Sequence, residues 1–413
     1  MHKKVKKILF LNFDCSKHPF FETSLELMDK CIKNGDEIYS ITCDGIFDKY
    51  CCNHVRKQIF NLEWNYCKKC KRGYREGMKM MKVPPKNRFV LKPYDVPEFP
   101  QFKTIDEIKH FCIDDMNVGF GVASTVMTYT RDYEYNPEDH MFMIHKLLRN
   151  SYIILKNLEE LIKKIKIDEI YLFNGRYYEF NTGVAFAKKH KIDFYIYESG
   201  ADYTRYSLRK NAYIHDFGVT QKEIQETWDS ESDFSKKEKI VKDWAENRRN
   251  RVEKNWRSFT KNQQEGLLPA DFDPSKENIV IYNTSLDEVT IFDEYKNPID
   301  SNDNNILREI IKKYENDNTK HFYLRVHPHL SHLNTTQIKE IREIADTNPK
   351  CMTIIPPTDE VDTYALMDAC DKTLVFCSTM GVEATYWGKP VILAGVSLYD
   401  HLDCVYQVKN YDE

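Results

Sequence analysis

No stretch of this chain approaches the roughly 18 consecutive apolar residues that a membrane-spanning helix requires, so a membrane span is excluded and a soluble protein is expected. A small-residue cleavage site is missing too. The opening MHKKVKKILFLNFD sets basic residues before a short apolar run, but Asn12 and Asp14 interrupt it, and it reads as a first β-strand rather than a signal peptide. Charge of one sign is also lacking: the formal net charge is −4 with both signs interspersed, which leaves no broad electrostatic footprint for nucleic acid. Repeats at solenoid periods and low-complexity tracts are absent. Glycine is scarce, at 14 residues, a bias of composition that says nothing about mechanism. With no secretory signal, the twelve cysteines point to reduced thiols in a cytoplasmic protein, not to a disulfide framework.

What is present describes an ordinary globular chain, 41% hydrophobic and 30% charged, and 413 residues exceed what one core usually supports. Two α/β domains are expected. Residues Ile8 to Asn12, Ser24 to Asn34 and Glu37 to Thr42 read strand, helix, strand; helical spacing is strongest from His140 to Lys166. Asp168 to Phe173, Asn181 to His190 and Ile192 to Tyr197 form a βαβ unit, whose strands are followed by the loops NGR and ESG. From Gln221 to Gln264 the chain is charged and helical in propensity, and breakers follow from Gly266 to Pro274. The expected division is therefore an N-terminal domain over 1–265, with a cysteine-rich loop and helical insertions, and a C-terminal domain over 276–413 built from a second strand-helix series.

Three segments of that second series carry chemistry. In DACDKTLVFCSTMGVEATYWGKPVILAG, Ser378, Thr379 and Gly381 lie where a helix begins beyond a strand, a place where free amides and two hydroxyls favour a phosphate. Glu383, one turn on, is placed to accept hydrogen bonds from ribose hydroxyls. The alternative is plain capping, with Glu383 completing a capping box. In FYLRVHPHL a strand runs into His327, which the following proline fixes at the strand's edge; it either donates to a phosphate oxygen or anchors a turn. Arg325 and His329 are expected on other faces by strand alternation. In YNTSLDE, the polar turn Asn283, Thr284 and Ser285 either reaches the same phosphates or caps a helix.

His327-Pro328 and Ser378-Thr379-x-Gly381-x-Glu383-Ala384-x5-Pro390 resemble the signature of the capsule polysaccharide biosynthesis glycosyltransferases, and the resemblance extends over residues 276 to about 406, Tyr399 included. It implies a glycosyltransferase B fold, two Rossmann-like α/β domains facing a cleft, with the C-terminal domain binding a nucleotide-sugar and no metal required for catalysis. Related bacterial sialyltransferases and Kdo transferases pair an acidic-acidic-Gly motif with His-Pro and Ser-Ser/Thr motifs. Glu198-Ser199-Gly200 is similar to the first, with Ser199 in place of the second acid, so a CMP-linked donor is suggested while UDP- and GDP-linked sugars stay open.

The resemblance makes Glu198 the base that takes the acceptor hydroxyl's proton, a role a carboxylate at a strand's C-terminal end can perform; the alternative is a surface acid on a turn in which Gly200 supplies a positive φ. Asn174, Gly175 and Arg176 follow the adjacent strand and are expected to bind the sugar or acceptor. Gly119 to Arg131, ending in Arg131, is either a wall of the acceptor site or a helix-packing stripe. Cys43, Cys51, Cys67 and Cys70 are either a structural zinc site, with Cys67-x-x-Cys70 as one half, or unligated thiols.

The function expected is inverting transfer from a nucleotide-sugar to a hydroxyl of a growing bacterial surface polysaccharide, capsule or lipopolysaccharide, on a lipid-linked or polymeric glycan acceptor. Peripheral association with the inner face of the cytoplasmic membrane through that acceptor is compatible with the sequence. The rivals are a nucleotide-sugar epimerase, a CDP-polyol phosphotransferase, and a nucleotide-binding scaffold without a working base.

Overall fold

The computed structural model describes residues 4–16, 18–52, 66–200, 204–252 and 260–413. The chain forms two compact units. One comprises Met1–Thr130 with Glu134–Asp216, the other Arg131–Tyr133 with Phe217–Glu413.

The first unit contains β1 (Lys7–Leu11), α1 (Phe20–Lys33), β2 (Glu37–Thr42), α2 (Tyr66–Met80), β3 (Arg88–Val90), α3 (Ile105–Lys109), the short hairpin β4 (Cys112–Ile113) and β5 (Met116–Asn117), α4 (Gly119–Thr130), α5 (Met141–Lys164), β6 (Glu169–Phe173), α6 (Tyr178–His190), β7 (Asp193–Ser199) and β8 (Tyr206–Lys210). Its sheet runs β3-β2-β1-β6-β7-β8. All neighbours are parallel except β7 and β8. Both sheet faces are covered, so Ile8 to Leu11 and the whole of β6 are buried, as continuous apolar runs in a parallel sheet demand.

The second unit begins with two charged helices, α7 (Phe217–Ser230) and α8 (Phe234–Arg249), and continues with β9 (Glu277–Tyr282), α9 (Asp303–Tyr314), β10 (Lys320–Arg325), α10 (Thr336–Asp346), β11 (Met352–Ile355), α11 (Thr363–Ala369), β12 (Lys372–Val375), α12 (Met380–Tyr386), β13 (Val391–Leu393) and β14 (Tyr406–Gln407). The sheet order is β11-β10-β9-β12-β13-β14, parallel throughout. Strand alternation divides the core. Ile279, Ile281, Phe322, Leu324 and Leu374 pack on one face, against Ile306 and Leu307 of α9 and Ile338 and Ile341 of α10. Val280, Tyr282, Tyr323 and Val375 pack on the other, with Leu366 and Met367 of α11 and Ala384 of α12. Side-chain oxygens of Asn302, Thr335 and Asp362 cap α9, α10 and α11.

Both units are thus Rossmann-like α/β folds, as expected. The partition differs from the sequence expectation. The charged stretch placed in the N-terminal domain groups with the second unit from Phe217 onward, and the tripeptide Arg131–Tyr133 joins it.

Candidate functional site

In the second unit the candidate residues gather at one edge of the sheet. β9 lies between β10 and β12, all three parallel, so the segments leaving their C-terminal ends are neighbours: Asn283 to Ser285 after β9, His327 after β10, and Ser378 and Thr379 after β12. In open α/β sheets this edge is where ligands bind. Asn283, 2% exposed, accepts the His327 backbone N–H through Oδ1 at 2.8 Å and so ties the β9 and β10 loops together. The Asn283 Nδ2 and the Thr284 hydroxyl are buried and make no hydrogen bond among the described residues. Orphaned donors at such an edge suit an acceptor-rich anion, because leaving them unpaired costs about 1–3 kcal/mol each. Ser285 behaves otherwise. Its hydroxyl donates to Asp287 at 2.6 Å and makes no capping bond, so the helix cap offered as the alternative is not seen either.

The His327 ring is defined by its surroundings. Nδ1 accepts the His329 backbone N–H at 3.2 Å, so a neutral imidazole here carries its proton on Nε2. Burial, with the His329 ring adding to it, pushes the His327 pKa down to about 4. At neutral pH His327 is therefore an uncharged imidazole whose proton sits on Nε2. His329 lies against Glu288, Nδ1 to Oε1 2.6 Å. Burial alone would raise the Glu288 pKa, but the His329 ion pair, with His327 and Arg131 behind it, outweighs burial and holds it near 2. Sequence reasoning sent His329 to another face and gave Glu288 no role. The signal was the HPH triplet, which returns a second imidazole to the edge two residues after the first. Arg325 does point away, donating to the carbonyls of Pro356 and Asp359.

After β12, the Ser378 Oγ accepts the Met380 N–H at 3.2 Å, a local cap, while Thr379 is exposed and makes no capping bond. Tyr399 explains two features of the motif. Its hydroxyl donates to the Ser378 carbonyl at 2.5 Å, and a Cβ on Gly381 would stand 2.2 Å from that same oxygen, so only glycine fits.

Glu383 departs from the expectation. It is 1% exposed, and its oxygens are taken by the Arg248 Nε at 2.7 Å and the Tyr364 hydroxyl at 2.5 Å. Neither the capping box nor an open ribose acceptor is seen. The carboxylate instead fixes an arginine from α8.

In the first unit, Glu198 and Asn174 meet as expected. β6 and β7 are parallel neighbours, and the left-handed pair Asn174 and Gly175 (φ 56° and 77°) turns the chain back at the end of β6. The Asn174 Nδ2 donates to the Glu198 Oε2 at 2.6 Å, and Ser199 donates to Oε1 through its backbone N–H at 2.9 Å and its hydroxyl at 3.2 Å. Glu198 is half-buried and aimed by three donors. Arg176 reaches Thr128 of α4 at 2.9 Å, which joins the Gly119–Arg131 segment to this edge. Gly200 takes no positive φ; its N–H pairs with the Arg205 carbonyl. Arg131, expected to bind sugar or acceptor at the end of the Gly119–Arg131 segment, belongs to the second unit, where its Nε pairs with Asp287 at 3.2 Å.

Cys43, Cys51, Cys67 and Cys70 line one cavity of about 20 Å³. Among the described residues no three His, Cys, Asp or Glu side chains are grouped to hold a metal ion, and residues 53–65, between Cys51 and Cys67, lie outside the described residues. Glu179, which the sequence reading passed over, is fully buried beside these thiols; it accepts the Cys52 N–H at 2.8 Å, and burial raises its pKa.

No helix among the described residues is long and apolar enough to cross a membrane. No curated protein matches the chain. Among solved structures it is similar to two Thermosulfurimonas dismutans KpsC structures. The β Kdo 2,4 transferase is 13% identical, covering 60% of this chain and 74% of that one with a TM-score of 0.37. The β Kdo 2,7 transferase is 17% identical, covering 62% and 74% with a TM-score of 0.36. A UDP-GlcNAc 2-epimerase from Neisseria meningitidis is 10% identical, covering 94% and 82% with a TM-score of 0.25. Likeness at this level does not bear on activity. The family model described as "Capsule polysaccharide biosynthesis protein" matches residues 258–412, the stretch that holds His327, Ser378, Gly381 and Tyr399. The resemblance read from the His-Pro and Ser-Thr motifs is therefore borne out as a likeness to that family over residues 258–412.

Proposed function

We propose that this protein is a glycosyltransferase of bacterial capsule-type polysaccharide synthesis, whose second unit binds the nucleotide-sugar and whose first unit supplies the base. The observation that carries the reading is the edge formed by β10, β9 and β12, where a neutral His327 and the buried donors of Asn283 and Thr284 meet. The diphosphate or monophosphate of the donor accepts hydrogen bonds from His327 Nε2–H, Asn283, Thr284 and the Ser378 and Thr379 hydroxyls, and those donors stabilise the leaving nucleotide as the glycosidic bond breaks. Glu198, aimed by Asn174 and Ser199, accepts the proton of the acceptor hydroxyl as it attacks the anomeric carbon. Direct displacement of this kind inverts the anomeric centre, and no step requires a metal. The donor we favour is CMP-linked, with UDP- and GDP-linked sugars as the alternatives.

The test is thermal stabilisation by CMP, CDP, UDP, GDP and ADP, since a ligand that binds only the native state raises the melting temperature. A shift with one nucleotide, lost in a His327→Ala, Ser378→Ala variant, supports the donor pocket. No shift with any of them at millimolar concentration overturns it.

A further inference from the structure

The helices α7 and α8 carry a cluster of large apolar side chains that stay exposed, with Lys237 lying over the Trp228 ring at 4.1 Å and Arg248 over the Trp244 ring at 5.4 Å. Ile224 and Trp228 on α7, and Phe234, Ile240, Val241 and Trp244 on α8, are each 38% to 61% exposed. No residue of α7 is buried, and on α8 only Ala245 is. The hairpin is nevertheless rooted at both ends. At its start the Phe217 ring meets Tyr295 at 5.3 Å, and the Gln221 side-chain amide donates to Asp400 at 2.8 Å. At its end Arg248 and Arg249 pair with Glu383 and Asp368. A firmly rooted element with an uncovered apolar face needs a partner.

Its charge says which. α7 has three acids (Glu223, Glu226, Asp229) against the single Lys222, which lies 3.5 Å from Glu226. α8 has four lysines (Lys236, Lys237, Lys239, Lys242) and the arginines Arg248 and Arg249 against Glu238, Asp243 and Glu246, so it is basic over its whole length. One helix is acidic and apolar, the next basic and apolar, which makes the hairpin complementary to itself under a two-fold operation. An anionic membrane surface would attract α8 and repel α7. About half exposed, the three aromatic side chains, each on the order of 150–250 Å² when whole, contribute roughly 300 Å² per copy, and the three aliphatic side chains bring the total to roughly 600 Å². Two copies then remove about 1,200 Å², past the roughly 1,000 Å² that a specific interface needs.

We propose that α7 and α8 form the interface of a homodimer, α7 of one copy lying against α8 of its partner. The pairing covers the Trp228 and Trp244 rings and sets lysines of α8 against acids of α7 across the two-fold axis. It does not depend on the transferase reading.

The experiment is light scattering or sedimentation equilibrium on the full chain at tens of micromolar. The expected mass is twice 49.1 kDa. Replacing Trp228→Glu and Trp244→Glu should weaken the dimer about thirtyfold, the loss of an interfacial hot spot. A charge cycle guards against a misfolded variant, because none of its sites is buried. Lys236→Glu with Lys237→Glu and Lys239→Glu should give monomer, Glu223→Lys with Glu226→Lys and Asp229→Lys should do the same, and a mixture of these two monomers should form a heterodimer. A monomeric wild type overturns the proposal. So does a dimer that survives the tryptophan and charge changes, or a wild type whose hairpin binds phosphatidylglycerol vesicles while remaining monomeric.

Discussion

The partly buried imidazole of His327 makes stability depend on pH in a window that can be worked out. Its pKa falls from an ordinary 6.5 to about 4 in the folded chain, chiefly by burial and secondarily by repulsion from His329. Below pH 6.5 the unfolded chain binds a proton there that the folded chain refuses until about pH 4, so stability drops as pH falls through that interval. With those two values the penalty is about 0.2 kcal/mol near pH 7, about 0.8 near pH 6 and about 2 near pH 5. Glu288, held near 2 instead of 4.5, loses its own stabilising contribution only below about pH 4.5, which leaves the range from 6.5 to 5 to His327. The perturbation is His327→Gln, which keeps a neutral donor and cannot titrate. The assay is urea unfolding followed by tryptophan fluorescence, which reports mainly the second unit because four of the five tryptophans lie at or beyond position 228. Wild type should lose about 2 kcal/mol more than the variant between pH 7 and pH 5. Equal losses, or a smaller loss in wild type, would refute the claim that this histidine is buried neutral.

Three further outcomes follow from the same geometry. Glu198→Gln should lower turnover by about 10²- to 10⁴-fold while leaving nucleotide binding intact, because the amide cannot accept the acceptor's proton; unchanged turnover in a donor-hydrolysis or transfer assay would remove Glu198 from the chemistry. Gly381→Ala puts a methyl group 2.2 Å from the Tyr399 hydroxyl and should destabilise the second unit by about 1–3 kcal/mol, read as a fall in urea midpoint, with Tyr399→Phe recovering little because the ring itself is close. Glu383→Ala strips the buried partner from Tyr364 and Arg248 and should cost about 1–3 kcal/mol, so a variant of wild-type stability with weakened nucleotide binding would return Glu383 to the ribose.

The sheets were legible because their signal is local. Apolar runs such as NIVIY at 278–282 and EIYLF at 169–173 are buried on both faces, and the strands read at Ile8–Asn12, Glu37–Thr42 and Asp168–Phe173 lie within a residue of the observed ones at either end. Which turns share an edge followed from strand direction, so His327, Asn283 and Ser378 came together as read. Side-chain commitment was less legible, because it depends on partners far away in sequence. Ser285 and Glu383 look free in their own segments, yet one is claimed by Asp287 two residues on and the other by Arg248, 135 residues upstream. Glu288 escaped notice for the same reason, its partner His329 lying on the next strand's loop.

The misplaced domain boundary has the same physical origin. A helical stretch rich in Lys, Arg, Glu and Asp with few large apolar positions carries no local sign of which core it joins, since surface ion pairs contribute little. Here the arginines are spent on partners that strand order brings close: Arg248 on Glu383 of α12, Arg249 on Asp368 of α11, Arg251 on Asp362 at the start of α11. Glu383 and Asp362 are nearly buried, at 1% and 8% side-chain exposure, and Asp362 also caps α11 through the Tyr364 N–H. A carboxylate so enclosed must be paired, so these acids require the arginines as much as the arginines hold the helix. The Arg249 guanidinium also lies over the Trp387 ring at 4.6 Å, which adds a contact that charge counting cannot see. The end of α8 is therefore a strap of the second unit, and the chain passes from one unit to the other where β8 ends and Phe217 begins, not among the breakers fifty residues later.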